Sequence, residues 1–138
     1  MEKSSNKIIK GCGVHHIALR AYDFEKTVKF YTDGLGFTKS ISWGEGDKRI
    51  IMLDPGDGNF LEVFAGGTDE EKPEGSYIHL AFGTDDCKHA MECAKKAGAV
   101  VTVEPKDVLI DSKPEKTNVR LGFCKGLNGE LIEFFEYL

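Results

Sequence analysis

The chain has 138 residues, of which 41% are hydrophobic and 30% charged, and a net charge of −5. That is the size and composition of one globular domain, 1–138, with enough chain to bury a core without disulfide staples. The acidic balance argues against nucleic acid or an anionic membrane as partner, and no apolar run approaches the roughly 20 residues of a membrane span.

The opening segment, MEKSSNKIIKGCG, has no apolar stretch of the kind a signal peptide needs, so a cytoplasmic location is expected. Cys12, Cys87, Cys93 and Cys124 form no C-x-x-C pair and read as reduced thiols. The first predicted strand covers 14–21. A helix follows, with Phe24, Val28, Tyr31 and Leu35 at helical spacing, Asp23 as N-cap, and Gly34 and Gly36 as stop. Three strands are expected at 37–44, 48–53 and 59–65, the last behind the turn cluster Asp54-Pro55-Gly56-Asp57-Gly58. GGTDEEKPEG, 66–75, reads as a linker.

The same order then recurs: a strand at 76–83, a helix carrying Ala90, Met91, Ala94 and Ala97, and strands at 99–104, 117–124 and 130–137. Asp85 or Asp86 can cap this helix and Gly98 follows it. Residues 105–118, with Pro105 and Pro114, are expected to be a loop, either a lid over a pocket or a solvated connector.

The recurrence extends to individual residues. His16-Ile-Ala-Leu-Arg-Ala-Tyr-Asp23 and His79-Leu-Ala-Phe-Gly-Thr-Asp-Asp86 both read H-x-A-x-x-x-x-D. Gly58-Asn-Phe-Leu-Glu62 matches Gly129-Glu-Leu-Ile-Glu133. The chain is thus one half-unit written twice, module 12–65 and module 76–138. Alternation along a strand puts His16 with Ala18 and Arg20, and His79 with Tyr77 and Ala81. The opposite faces, with Ile17, Leu19, Ile78, Leu80 and Phe82, are apolar and expected to lie under the helices.

Glu62 lies between Phe60 and Phe64 on one strand face, and Glu133 between Leu131 and Phe135. A carboxylate among such side chains is costly to bury unless it is paired or bound to a metal. Two His and two Glu at repeat-equivalent positions offer the N and O donors that suit one divalent transition ion. His16, Glu62, His79 and Glu133 are therefore the candidate ligands, leaving two positions of an octahedral ion for neighbouring oxygens of a substrate. Arg20, Phe60, Phe64, Tyr77 and Phe135 share faces with them and are the candidate substrate-binding residues, suited to a partly apolar molecule with an anionic end.

The segments VHHIALRAYDFEKTVKFYTDGLGF, YIHLAF and GLNGELIEFFEYL together resemble the vicinal oxygen chelate superfamily, also called the glyoxalase/bleomycin-resistance/dioxygenase family. The resemblance spans about residues 12–138. It implies an α+β fold in which two βαβββ modules form a cupped mixed sheet around a metal site. All four ligand positions are kept, as in members of glyoxalase I (lactoylglutathione lyase) type. That kinship implies a metal-dependent lyase or isomerase in which a proton moves through a metal-bound enediolate of a 2-oxoaldehyde–thiol adduct. It also implies Glu133 as base with Glu62 as its partner, Zn²⁺ or Ni²⁺ ahead of Co²⁺ or Mn²⁺, and a homodimer. Arg20 matches a position that holds a carboxylate of glutathione. The chain departs from that type at Gly66, where Asn is common, and at Glu74-Gly75, where a basic residue is expected. The alternatives within the superfamily are an acyl-CoA epimerase of methylmalonyl-CoA type, a metal-dependent thiol transferase and a non-catalytic drug- or metabolite-binding protein.

Overall fold

The structure is a computed structural model that describes residues 4–8, 10, 12, 14–73, 75 and 77–138. Glu74 of the expected linker, and Ser76, which opens the expected fifth strand, lie outside these residues.

Among the described residues, eight strands and two α-helices follow in the expected order. The first module contains β1 (His16–Arg20), α1 (Phe24–Lys29), β2 (Thr38–Trp43), β3 (Ile50–Asp54) and β4 (Phe60–Phe64). The second contains β5 (Leu80–Gly83), α2 (Cys87–Lys96), β6 (Val100–Ile110), β7 (Thr117–Lys125) and β8 (Leu131–Tyr137). The two halves build identical sheets, ordered β1-β4-β3-β2 and β5-β8-β7-β6. In each the first strand runs parallel to the last, as a helical crossover requires, and the other pairs are antiparallel. Among the described residues no ladder joins the two sheets, so each module forms its own four-stranded mixed sheet.

Both helices start where their caps predict. Asp23 accepts a hydrogen bond from the Lys26 amide, and Asp86, not Asp85, accepts one from the His89 amide, each at 3.0 Å. The first helix does not run evenly to its glycine stop, because Phe30–Gly34 continues it as a π-helix. Tyr31 and Phe30 are buried on this stretch. Gly34 is needed there, since a Cβ on it would fall 2.4 Å from the Cβ of Ala97 behind α2.

The helix-bearing faces of the two sheets share a single core. Leu53 and Val63 of the first module pack in the same cluster as Met91, Cys124 and Ile132 of the second. Phe37 meets Phe82 edge-on across the join, with ring centroids 5.2 Å apart. Polar contacts cross it as well. Tyr31 Oη donates to Glu130 Oε2 at 2.8 Å, while Asn128 accepts from the Tyr22 amide and donates to Thr27 Oγ1. Two residues expected under the helices are not covered: Ile17, the second residue of β1, and Ile78, two residues before β5, are 45% and 55% exposed.

The expected loop 105–118 is corrected to a β-ribbon. β6 runs on to Ile110, and Lys106, Val108 and Ile110 pair with Leu121, Val119 and Thr117 of β7, leaving only 111–116 as the turn. Pro105 is tolerated because the register shifts between Val103 and Lys106, and a bulge does not need the amide proline lacks. Across from it stands Gly122, where a Cβ would come within 3.1 Å of Pro105 N and Val103 O. His79 and Glu133 are 54 positions apart and His16 and Glu62 are 46, so the second half is eight residues longer, and these lengthen a hairpin. Arg120 of β7 clamps the ribbon through both oxygens of Asp107, at 2.6 and 3.1 Å.

Candidate functional site

The register of each sheet brings a histidine and a glutamate onto one face. Ala18 lies opposite Glu62 on β4, and Ala81 opposite Glu133 on β8. His16 and His79, two residues earlier on their strands, share those faces. His16 Nε2 stands 3.2 Å from Glu62 Oε2, and His79 Nε2 stands 3.1 Å from Glu133 Oε2. The two carboxylates are each only 7% exposed, whereas the His rings remain partly open. Phe123 and Met52 complete the surroundings, being the cross-strand neighbours of Glu133 and Glu62.

The duplication therefore produces two matching pairs and not a single four-residue cluster. Among the described residues no group of three or more His, Cys, Asp or Glu side chains is placed to hold one ion. His16 and His79 line a common crevice of about 660 Å³ with Tyr77, Ile17, Ile78 and Glu130, but neither Glu62 nor Glu133 reaches it. Each pair taken alone has the spacing of two ligands on one ion. Donors about 2.1 Å from a metal and at right angles to each other stand about 3 Å apart. An imidazole nitrogen and a carboxylate oxygen are also donors that first-row divalent ions accept. The residues present thus fit half of a metal site twice over.

The five residues expected around the ligands differ in their placement. Arg20 lies over the Phe64 ring, 5.2 Å from its centroid, and donates to the Ala65 carbonyl at 3.0 Å. Phe60 packs on His15 and Phe135 on Tyr137. Tyr77 is 99% exposed, which leaves it free to meet another surface. Residues that pattern reading passed over include Phe123, whose ring meets His79 edge-on at 5.7 Å. They also include His15, whose Nδ1 lies 2.9 Å from the Nδ1 of His16. The His15-His16 doublet was the available signal for the second of these. No local signal marks Phe123, since it depends on the pairing of β7 with β8.

Outside the pairs, burial first, and then the Glu130 carboxylate, holds the Tyr31 phenol well above its usual range. Burial likewise pushes the Cys124 thiol up to about 11. All four cysteines are free, Cys87 and Cys124 in the core. No helix among the described residues is long and apolar enough to cross a membrane.

Paired βαβββ modules, each with a His on its first strand facing a Glu on its last, define the class of protein to which this geometry belongs. The sequence matches the family model of the Glyoxalase/Bleomycin resistance protein/Dioxygenase superfamily over residues 13–134, and the chain belongs to that superfamily. It is 28% identical over 127 residues to a probable lactoylglutathione lyase of Vibrio cholerae serotype O1, covering 88% of each chain. Solved structures share the fold. A glyoxalase I mutant from Zea mays superposes with a TM-score of 0.70 at 22% identity, over 91% of this chain and 47% of that one. An antibiotic-binding protein from Streptomyces sp. CB03234 superposes with a TM-score of 0.68 at 21% identity, over 96% of this chain and all of the other.

Proposed function

We propose that the protein is a metal-dependent lyase or isomerase of glyoxalase I type, acting on a 2-oxoaldehyde–thiol adduct in centres completed by a second copy of the chain. The observation that carries this reading is the pair of separated His–Glu half-sites at 3.1–3.2 Å. His16 and Glu62 of one copy, together with His79 and Glu133 of the other, make one four-ligand centre, and the symmetric exchange makes a second. The exposed Val14, Ile17, Tyr77 and Ile78 lie along the same strand edges and supply apolar surface for a partner copy. The similarity to a probable lactoylglutathione lyase supports the choice of chemistry.

A divalent ion held there supplies Lewis acidity toward two neighbouring substrate oxygens. The chain's own residues do the rest. Glu133 removes the proton from the carbon beside the developing carbonyl and returns it to the adjacent carbon, with Glu62 as its counterpart. Both carboxylates sit in largely dry surroundings, where a basic oxygen is poorly screened and effective. Phe60, Phe64 and Phe135 provide apolar walls, and Arg20 offers a cation to an anionic end of the thiol. Gly66 provides no side-chain amide for that end, so the thiol partner need not be glutathione.

Mixing His16→Ala chains with His79→Ala chains tests the arrangement. Each variant alone lacks one ligand in every centre and should neither hold the ion nor turn over. In a mixed dimer with exchanged halves, one centre carries both mutations and the other carries neither. About half of the metal content and turnover per mixed dimer should therefore return, with Ni²⁺ or Zn²⁺ and a methylglyoxal–thiol adduct as probes. Centres confined to single chains would show no recovery on mixing.

A further inference from the structure

The two half-sites differ in what holds the histidine. Besides its glutamate, His79 meets the Phe123 ring, whereas His16 has a nitrogen partner: His15 Nδ1 lies 2.9 Å from His16 Nδ1, with the rings edge-on and their centroids 5.2 Å apart. His15 is itself seated. Its ring packs on Phe60 with centroids 5.3 Å apart, and its carbonyl accepts from the Phe60 amide at 2.8 Å. Residue 78, the matching position of the second half, is Ile, which can offer no such contact.

A hydrogen bond between two imidazole nitrogens needs a proton on one and a lone pair on the other. A carboxylate oxygen can only accept, so a hydrogen bond across the 3.2 Å between His16 Nε2 and Glu62 Oε2 uses the tautomer with its proton on Nε2. In that tautomer Nδ1 holds the lone pair, and His15 is the donor. An ion bound through Nε2 would need that lone pair instead, which would put the His16 proton on Nδ1, pointing at His15. The contact serves either sense, because His15 can donate from Nδ1 or accept there once its own proton is on Nε2. We propose that His15 is a positioning residue that holds the His16 ring with Nε2 toward Glu62 and serves as its partner in both tautomers. The inference rests on the reading of His16 as a ligand. It goes beyond that reading in assigning a support to one half-site that the other lacks.

Two substitutions separate this role from packing. His15→Phe keeps a ring against Phe60 but removes the nitrogen. His15→Asn keeps a polar atom at the place of Nδ1. Zn²⁺ affinity, measured by competition with a chromophoric chelator, should fall roughly 10- to 100-fold in His15→Phe, the range usual for losing an outer partner of a ligand histidine. His15→Asn should restore most of it. In the metal-free wild type, the ¹⁵N shift of His16 Nδ1 should be that of a ring nitrogen accepting a hydrogen bond, and His15→Phe should move it toward the value of an unbonded lone pair. Retention of both wild-type affinity and the wild-type Nδ1 shift in His15→Phe would overturn the proposal. A wild-type chain that binds no Zn²⁺, or a His16→Ala chain that binds it equally well, would instead remove His16 as a ligand. The metal-free spectra would then decide on their own whether His15 holds the ring.

Discussion

Glu133 and Glu62 occupy near-identical surroundings, each 7% exposed and each facing one imidazole, so their roles separate only by measurement. Glu133→Gln keeps the shape and a weaker oxygen donor but removes the base. In metal-replete protein its kcat should fall on the order of 100-fold or more, with metal content assayed in the same sample. Wild-type turnover in both Glu133→Gln and Glu62→Gln would remove the carboxylate base from the mechanism. Tyr31 supports a different expectation. Its phenol value is raised in the fold, so the neutral form's contribution is fully present below the unfolded value of about 10 and is lost as pH rises beyond it. Tyr31→Phe should cost roughly 1–3 kcal/mol at pH 7, because the bond it loses goes to a carboxylate. It should also flatten the decline in stability above about pH 10, read as urea midpoints at pH 7 and 10.5.

The β6–β7 ribbon is where a single element decides most. Pro105 at a register shift and Gly122 opposite it form one device, in which the bulge brings two backbones too close for a side chain between them. Gly122→Ala puts a methyl group 2.9 Å from Met91 Cε and 3.1 Å from backbone atoms of 103 and 105. The methionine can move but the strand cannot. A loss of roughly 1–3 kcal/mol is expected in denaturant unfolding, the scale of an overpacked interior. The Asp107–Arg120 clamp adds an acid dependence. Arg120 holds the Asp107 carboxyl below its usual range, so the clamp's contribution is present above the unfolded value and is lost as pH falls through the folded one. Asp107→Asn should therefore unfold less steeply than wild type between about pH 5 and 3, followed by circular dichroism.

At the scale of the molecule, the two modules turn their helices toward one core and leave the strand edges of β1 and β5 uncovered. Val14, Ile17 and Ile78 on those edges are 68%, 45% and 55% exposed. Ile17→Lys with Ile78→Lys should weaken self-association, measured by sedimentation velocity, with little change in the thermal stability of the monomer. If the centres are shared, metal affinity should fall in parallel with dimer affinity. Unchanged metal binding in a fully monomeric variant would separate the two.

The element order, the first helix cap and the strand face that each His shares with its Glu were legible in the sequence, with the second cap narrowed to Asp85 or Asp86, because each rests on local chemistry or on period-two alternation that the repeat states twice. Asp23 and Asp86 cap because a side-chain oxygen can reach an amide three residues on. His16 and Glu62 share a face because strand parity leaves no other choice once β1 lies beside β4. What parity cannot determine is where one sheet lies relative to the other. Only the packing of Phe37 on Phe82, and of Gly34 on Ala97, decides that the helical faces meet and that the pairs stand apart as two halves. The ribbon escaped notice for a similar reason: its prolines look like loop residues until a cross-strand partner supplies the bulge that accommodates Pro105. The His15–His16 contact forms where β1 begins, with His15 outside the strand, so strand alternation does not apply to it. Contacts of this kind are made between segments distant in sequence or outside regular structure, and no local propensity encodes them.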